Sequence, residues 1–174
     1  MNTNKIKNNS GISILEVVVA ILMITMGMVG VLSLVIQNIN AQYINKNVLI
    51  ASGLAQEGLE LARNIRDANW LILNNAWDED LTLTGVAHNF AIDYRGRSSI
   101  TGVDGLDEDT ILKIDDDGFY WHGTGTNSLF RRLLTVEKKT AEGAEYLDVK
   151  CTIRWTEGAQ NHDYTAETYL YDWR

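Results

Sequence analysis

Residues Val17–Ile36 read VVVAILMITMGMVGVLSLVI, twenty consecutive positions without a charge. As an α-helix, at 1.5 Å per residue, that run spans roughly 30 Å, the thickness of a bilayer hydrocarbon core. A secretory signal peptide fits it poorly. The apolar region of such a peptide covers about 7–15 residues and is followed by an A-x-A-like cleavage site, and neither feature is present here. Lys5 and Lys7 precede the run with no acid near them, which predicts a cytoplasmic N-terminus and places everything after Ile36 outside the cytoplasm. The alternative for such a run is the buried core helix of a soluble protein.

Whole-chain averages conceal this segment. The 174 residues carry 15 Lys and Arg against 23 Asp and Glu, a net charge of −8, with one cysteine and no proline. Mean hydropathy is −0.13, the value of an ordinary soluble protein. The acidic balance excludes the basic surface that nucleic-acid binding normally needs. A single thiol, Cys151, cannot close an internal disulfide. The missing prolines exclude a Pro-rich linker and a PxxP ligand.

Glu16 stands at the edge of the apolar run, after Ile12, Ser13, Ile14 and Leu15. A carboxylate at membrane depth costs about 2.5–3.5 kcal/mol on insertion scales, so such a residue usually has a partner or a function. The stretch Ser10-Gly11-Ile12-Ser13-Ile14-Leu15-Glu16, after a short Lys-bearing leader and before a long apolar run, resembles the N-terminus of type IV pilin precursors. The resemblance covers residues 5–40. It implies that residues 1–11 form a leader, that a prepilin peptidase cuts between Gly11 and Ile12, and that the new terminus at Ile12 is N-methylated. It also implies that Glu16 pairs with the terminal amine of a neighbouring pilin subunit during assembly. Two features depart from the family pattern. Ile12 stands where phenylalanine is commonest, and Ser33 lies where many pilins have a helix-kinking proline. Flexibility then falls to Gly27 and Gly30, since glycine inside a helix costs about 1 kcal/mol relative to alanine; the same small residues also permit close helix packing.

Helical character continues past the membrane run. After a polar stretch, Gln37–Asn47, positions Ala51, Leu54, Gly58, Leu61, Ile65 and Ala68 recur at spacings of three and four, which predicts an amphipathic half-helix over 37–69. From Ile12 to Asn69 the chain has no breaker other than single glycines, so the predicted helix is roughly 85 Å long. Coiled-coil pairing is the alternative use of the seam. The segment Ala55–Asp67, AQEGLELARNIRD, is similar to minor pilins of the PilV type.

From Trp70 onward alternation with period two replaces the helical period. One candidate strand presents Val86, His88, Phe90, Ile92 and Tyr94 on one face. A second presents Leu147, Val149, Cys151, Ile153 and Trp155, with Asp148, Lys150, Thr152 and Arg154 outward; a third carries Phe130, Arg132, Leu134 and Val136; a terminal one runs from Tyr164 to Trp173. Gly96, Asp117-Gly118, Glu142-Gly143 and Gly158–Asn161 mark the loops. The pattern predicts an α+β chain whose antiparallel sheet, in a head over 70–174, packs on the amphipathic half-helix. By resemblance this is the pilin fold, with residues 12–36 as the transmembrane and filament-core half.

Acid concentrates in the head. Between Asp78 and Asp117 eleven carboxylates face Arg95, Arg97 and Lys113. Asp104, Asp107, Asp109, Asp115 and Asp117 could supply oxygen ligands for Ca²⁺, although the spacing is not that of an EF-hand and Asp117-Gly118 also reads as a plain hairpin turn. No other cofactor is expected. His88, His122 and His162 follow no metal-ligand spacing, the chain has no nucleophile elbow, Walker loop or H-E-x-x-H, and Cys151 lies on an apolar strand face. The expectation is a structural filament subunit rather than an enzyme. Its precursor would sit in the bacterial inner membrane and its assembled form at the cell surface. Its partners would be prepilin peptidase and other pilin subunits, with no nucleic acid. The alternatives are a pseudopilin of a type II secretion or DNA-uptake system and a membrane-anchored Ca²⁺- or ligand-binding module that does not polymerise.

Overall fold

The computed structural model describes residues 11, 13–82, 87–94, 96–101 (backbone only) and 105–172. Lys5, Lys7, Ser10, Ile12, Val86, Arg95, Asp104 and Trp173 lie outside these residues. The chain is α+β, with one long N-terminal helix, α1 (Ile14–Leu71), and an antiparallel sheet packed on its C-terminal part. It divides into two compact units, Met1–Lys46 and Asn47–Arg174.

In the first unit every described side chain is exposed, including Val17, Ile21, Leu22, Met26, Val29, Leu32 and Ile36. By length and composition this helix can cross a membrane. The buried-core alternative does not hold, because nothing in the described chain covers the run.

Among the described residues the second unit holds seven strands: β1 (His88–Asp93), β2 (Gly96–Thr101), β3 (Ile111–Ile114), β4 (Tyr120–Trp121), β5 (Thr126–Ala141), β6 (Ala144–Glu157) and β7 (Gln160–Tyr171). β5 is the spine. One of its edges pairs with β6 from Phe130 to Ala141, while the other is shared end to end, near Thr126–Arg131 with β3 and at Leu134–Val136 with β1. β7 pairs with β6. Two residues with positive φ, Glu142 (52°) and Gly143 (85°), close the β5–β6 hairpin, the conformation a tight turn needs to match strand twist.

The sheet face toward α1 is built from Phe90, Ile92, Phe130, Leu134, Val136, Leu147, Val149, Cys151, Ile153, Trp155 and Leu170, all buried. The helix contributes Ala51, Leu54, Ala55, Gly58, Leu59, Ala62, Arg66, Asn69 and Trp70. That stripe departs from the predicted seam. Leu61, Ile65 and Ala68 are only half-buried, because an α-helix that is not supercoiled drifts about 20° per heptad. Its buried line therefore moves on to Ala62, Arg66 and Asn69. Asn69 is fully buried and donates from Nδ2 to the carbonyl of Glu79 at 2.7 Å, fastening the segment that follows the helix.

Other expectations shift as well. Asp148 faces outward in register with Tyr169, as alternation predicts, but is buried there and lies 2.5 Å from Lys139 Nζ. Tyr94 falls in a turn beyond β1. The loop placed over Gly158–Asn161 contracts to Gly158 and Ala159, so β7 starts at Gln160.

Where α1 crosses the sheet, Gly58 has no room for a side chain. A Cβ there would lie 2.5 Å from Cys151 Sγ and 3.4 Å from Arg132 Cδ. Gly58→Ala is therefore expected to destabilise the full chain by about 1–3 kcal/mol, as overpacking does. In a Cys151→Ala background the clash disappears and the helix-propensity gain of about 1 kcal/mol remains. The same substitution should then become neutral or stabilising. Thermal unfolding of the four variants in detergent, followed by circular dichroism, measures this reversal of sign.

Candidate functional site

The N-terminal motif opens α1. The carbonyl of Ser13 accepts the N–H of Glu16 at 3.0 Å and of Val17 at 3.3 Å, so Ser13 occupies the cap position and Glu16 the third helical one. The spacing is that of a capping box, and a carboxylate in the first turn is favoured by the helix dipole. Glu16 is exposed and its carboxylate stands at the start of the uncharged run. Gly11 is exposed, and Ile12 lies outside the described residues. The helix passes unbroken through Gly27 and Gly30, where a Cβ would meet nothing within 4 Å. Both positions are therefore open to a neighbouring surface.

The acidic residues separate into two places. Asp107 caps the short 3₁₀ turn Glu108–Thr110, accepting from the N–H of Asp109 at 3.1 Å. Asp115 organises the β3–β4 turn; its Oδ1 accepts from the N–H groups of Asp117 (3.0 Å) and Phe119 (2.9 Å), and its Oδ2 from the hydroxyl of Tyr94 (2.8 Å). Asp109 and Asp117 are exposed. Among the described residues no group of three or more His, Cys, Asp or Glu is placed to hold a metal ion. The structure thus gives Asp107 and Asp115 hydrogen-bonding roles within turns; Asp104 lies outside the described residues.

Cys151 is fully buried and its thiol is pushed up to about 12 by burial, which removes the thiolate a nucleophile requires. A groove of about 180 Å³ lies between α1 and β1, lined by Leu61, Ile65, Ala68, Ile92 and Tyr94. On the outer face of the sheet, Tyr146 meets Tyr169 edge-on at 5.6 Å and stacks on Tyr171 at 5.5 Å. Beside them burial opposes the charge of Asp148, but Lys139 and Lys150 hold its carboxyl below the usual range.

Sequence spacing could not have found His122. Its side chain is only 4% exposed, with Nδ1 3.8 Å from Asp93 Oδ2, and Asp93 in turn accepts the backbone N–H of His122 at 3.0 Å. Burial lowers the pKa of His122 to about 4, helped by the charge of Arg132; the Asp93 carboxylate and the Thr110 backbone pull the other way without restoring it. The folded value lies below the unfolded value of 6.5, so this neutral imidazole contributes fully above pH 6.5 and its contribution falls as the pH drops toward 4. Unfolding free energy is expected to decline by up to about 3 kcal/mol across that window from this group. His122→Gln should flatten that part of the curve, as read by urea unfolding at a series of pH values.

Comparison with protein-family models, with curated proteins and with solved structures finds no match for this chain.

Proposed function

We propose that the chain is a structural subunit of a type IV pilus or pilus-like filament, anchored in the membrane as a precursor and assembled through its N-terminal helix. The carrying observation is that an uncharged twenty-residue run lies wholly exposed on α1. Fully burying one large aliphatic side chain gains about 1.5–3 kcal/mol, so a surface of this size requires lipid or other helices around it. The core over Asn47–Arg174 is built without any residue of that run.

In this reading the precursor sits with residues 1–11 on the cytoplasmic side of the inner membrane and its sheet-bearing part outside. Cleavage after Gly11 creates a terminal amine at Ile12, where methylation follows. Glu16 of a neighbouring subunit neutralises that amine in apolar surroundings, which compensates for taking both charges out of water. Gly27 and Gly30 let helices approach closely. The filament core would be helical and its acidic surface outermost, and the role is structural rather than catalytic.

Expression with a prepilin peptidase should yield a chain that begins at Ile12, read by intact mass, and Gly11→Ala should leave the leader attached. Glu16→Ala should be processed normally yet lose most of the filament recovered by shearing. A wild-type chain that stays in the membrane with its leader attached and forms no filament would overturn the reading. That outcome would favour an anchored binding module.

A further inference from the structure

We propose that β7 is a strand-addition edge that pairs with the same strand of a second copy, antiparallel, about a two-fold axis at Ala166. β7 runs twelve residues, QNHDYTAETYLY, in unbroken register with β6 from Glu157↔Gln160 to Tyr146↔Tyr171, and among the described residues β6 is the only strand it pairs with. Exposed edges are normally guarded by lysine, proline, a bulge or brevity. β7 has none of the four.

Its carboxylates, each paired with a cation on β6, guard the edge only against registers that bring them face to face. Asp163 takes a bidentate pair from Arg154 at 2.7 and 2.6 Å, and Glu167 lies 3.7 Å from Lys150. In a hairpin closed by two residues, the flanking pair exchanges both hydrogen bonds and the pattern then alternates. Gln160 flanks the turn, so even-numbered residues of β7 bond to β6 and the odd-numbered ones, Asn161 to Tyr171, direct N–H and C=O away from the sheet. On the helix-side face His162, Tyr164, Ala166 and Thr168 remain half-buried. The core is therefore incompletely covered along this edge.

Charge selects both the partner and the register. With the axis at Thr165, each Asp163 would face a Glu167; with the axis at Glu167, that carboxylate would face its own copy. Like charges directly opposite destabilise a pair. With the axis at Ala166, Asp163 faces Tyr169, Thr165 faces Glu167 and Asn161 faces Tyr171. No acid then opposes an acid, and the whole of Asn161–Tyr171 overlaps, giving about six hydrogen-bonded pairs. Axes further from the centre shorten the overlap. A two-fold contact closes on itself and cannot propagate a polymer, so this pairing is separate from helix-driven assembly and does not depend on the filament reading.

Sedimentation of the full chain in detergent micelles tests it. The wild type should dimerise reversibly. Thr165→Pro removes an N–H that points away from β6, so it should leave the circular dichroism unchanged and lower the melting temperature only slightly, through loss of the Thr152 hydroxyl contact, while weakening the dimer by at least about tenfold. Tyr169→Asp places an acid opposite Asp163 of the second copy and also opposite Asp148 within the chain, so it should weaken the dimer and lower the melting temperature; adding Asp163→Asn should restore the dimer but not the melting temperature, which only the Ala166 register predicts. A wild type that stays monomeric overturns the proposal. So does a dimer indifferent to Thr165→Pro, which would assign association to the apolar helix, and so does a failure of Asp163→Asn to rescue.

Discussion

The guanidinium of Arg132 holds the helix and the sheet together. It is fully buried; Nη2 donates to the carbonyl of Ile92 at 2.5 Å, and Nη1 donates to the carbonyl of Leu54 at 3.4 Å and lies 3.4 Å from Glu57 Oε2. One side chain on β5 thereby reaches a helix carbonyl, a helix carboxylate and the last part of β1. A buried charge is tolerated only when partners are supplied, and here α1 and β1 supply them to Nη1 and Nη2, while Nε has no hydrogen-bond partner among the described residues. Gly58 follows from this arrangement, since its missing side chain lets α1 come down onto Arg132 and Cys151. The same charge reaches His122, reinforcing the effect of burial on the imidazole.

Much of this was readable in the sequence wherever a period carries the signal. Phe130, Arg132, Leu134 and Val136 share the buried face that alternation assigns to them, and Leu147–Trp155 likewise. The turn at Glu142-Gly143 follows from local chemistry. What periodicity could not provide is partnership across the chain. Arg132 was placed on the apolar face, but Leu54 lies 78 residues away and Ile92 40. Asp148 looked solvated because alternation cannot see the ammonium of Lys139 over it. The predicted helix seam keeps spacings of three and four, and a helix that packs on a sheet without supercoiling drifts from them, so the buried line moves off Leu61 and Ile65.

The same division applies to the candidate site. Residues 11–16 announce themselves by order and spacing, and the structure adds the cap geometry at Ser13 and the exposure of Glu16. The acidic positions stand out by composition, and among the described ones Asp107 and Asp115 each satisfy nearby N–H groups. The edge character of β7 was invisible beforehand because a strand's own alternation is the same at the centre and at the margin of a sheet. Only the strand order, with β5 rather than β7 as the spine, distinguishes them.

Among the described residues two surfaces lack partners, and they differ in what can complete them. The apolar run of α1 is driven by area, about 25 cal/mol per Å² without directional demand, so lipid or any apolar helix face will serve. The outer edge of β7 is driven by hydrogen bonds, each worth only about 0.5–1.5 kcal/mol net because water already satisfies the free strand. Coverage of the helix is therefore obligatory and nearly permanent, while pairing of the edge is conditional on register and concentration. In the proposed anchored state the helix confines copies to a surface and raises the effective concentration at which the weaker contact operates. The strong, unspecific surface thus sets the conditions under which the weak, register-dependent one becomes populated.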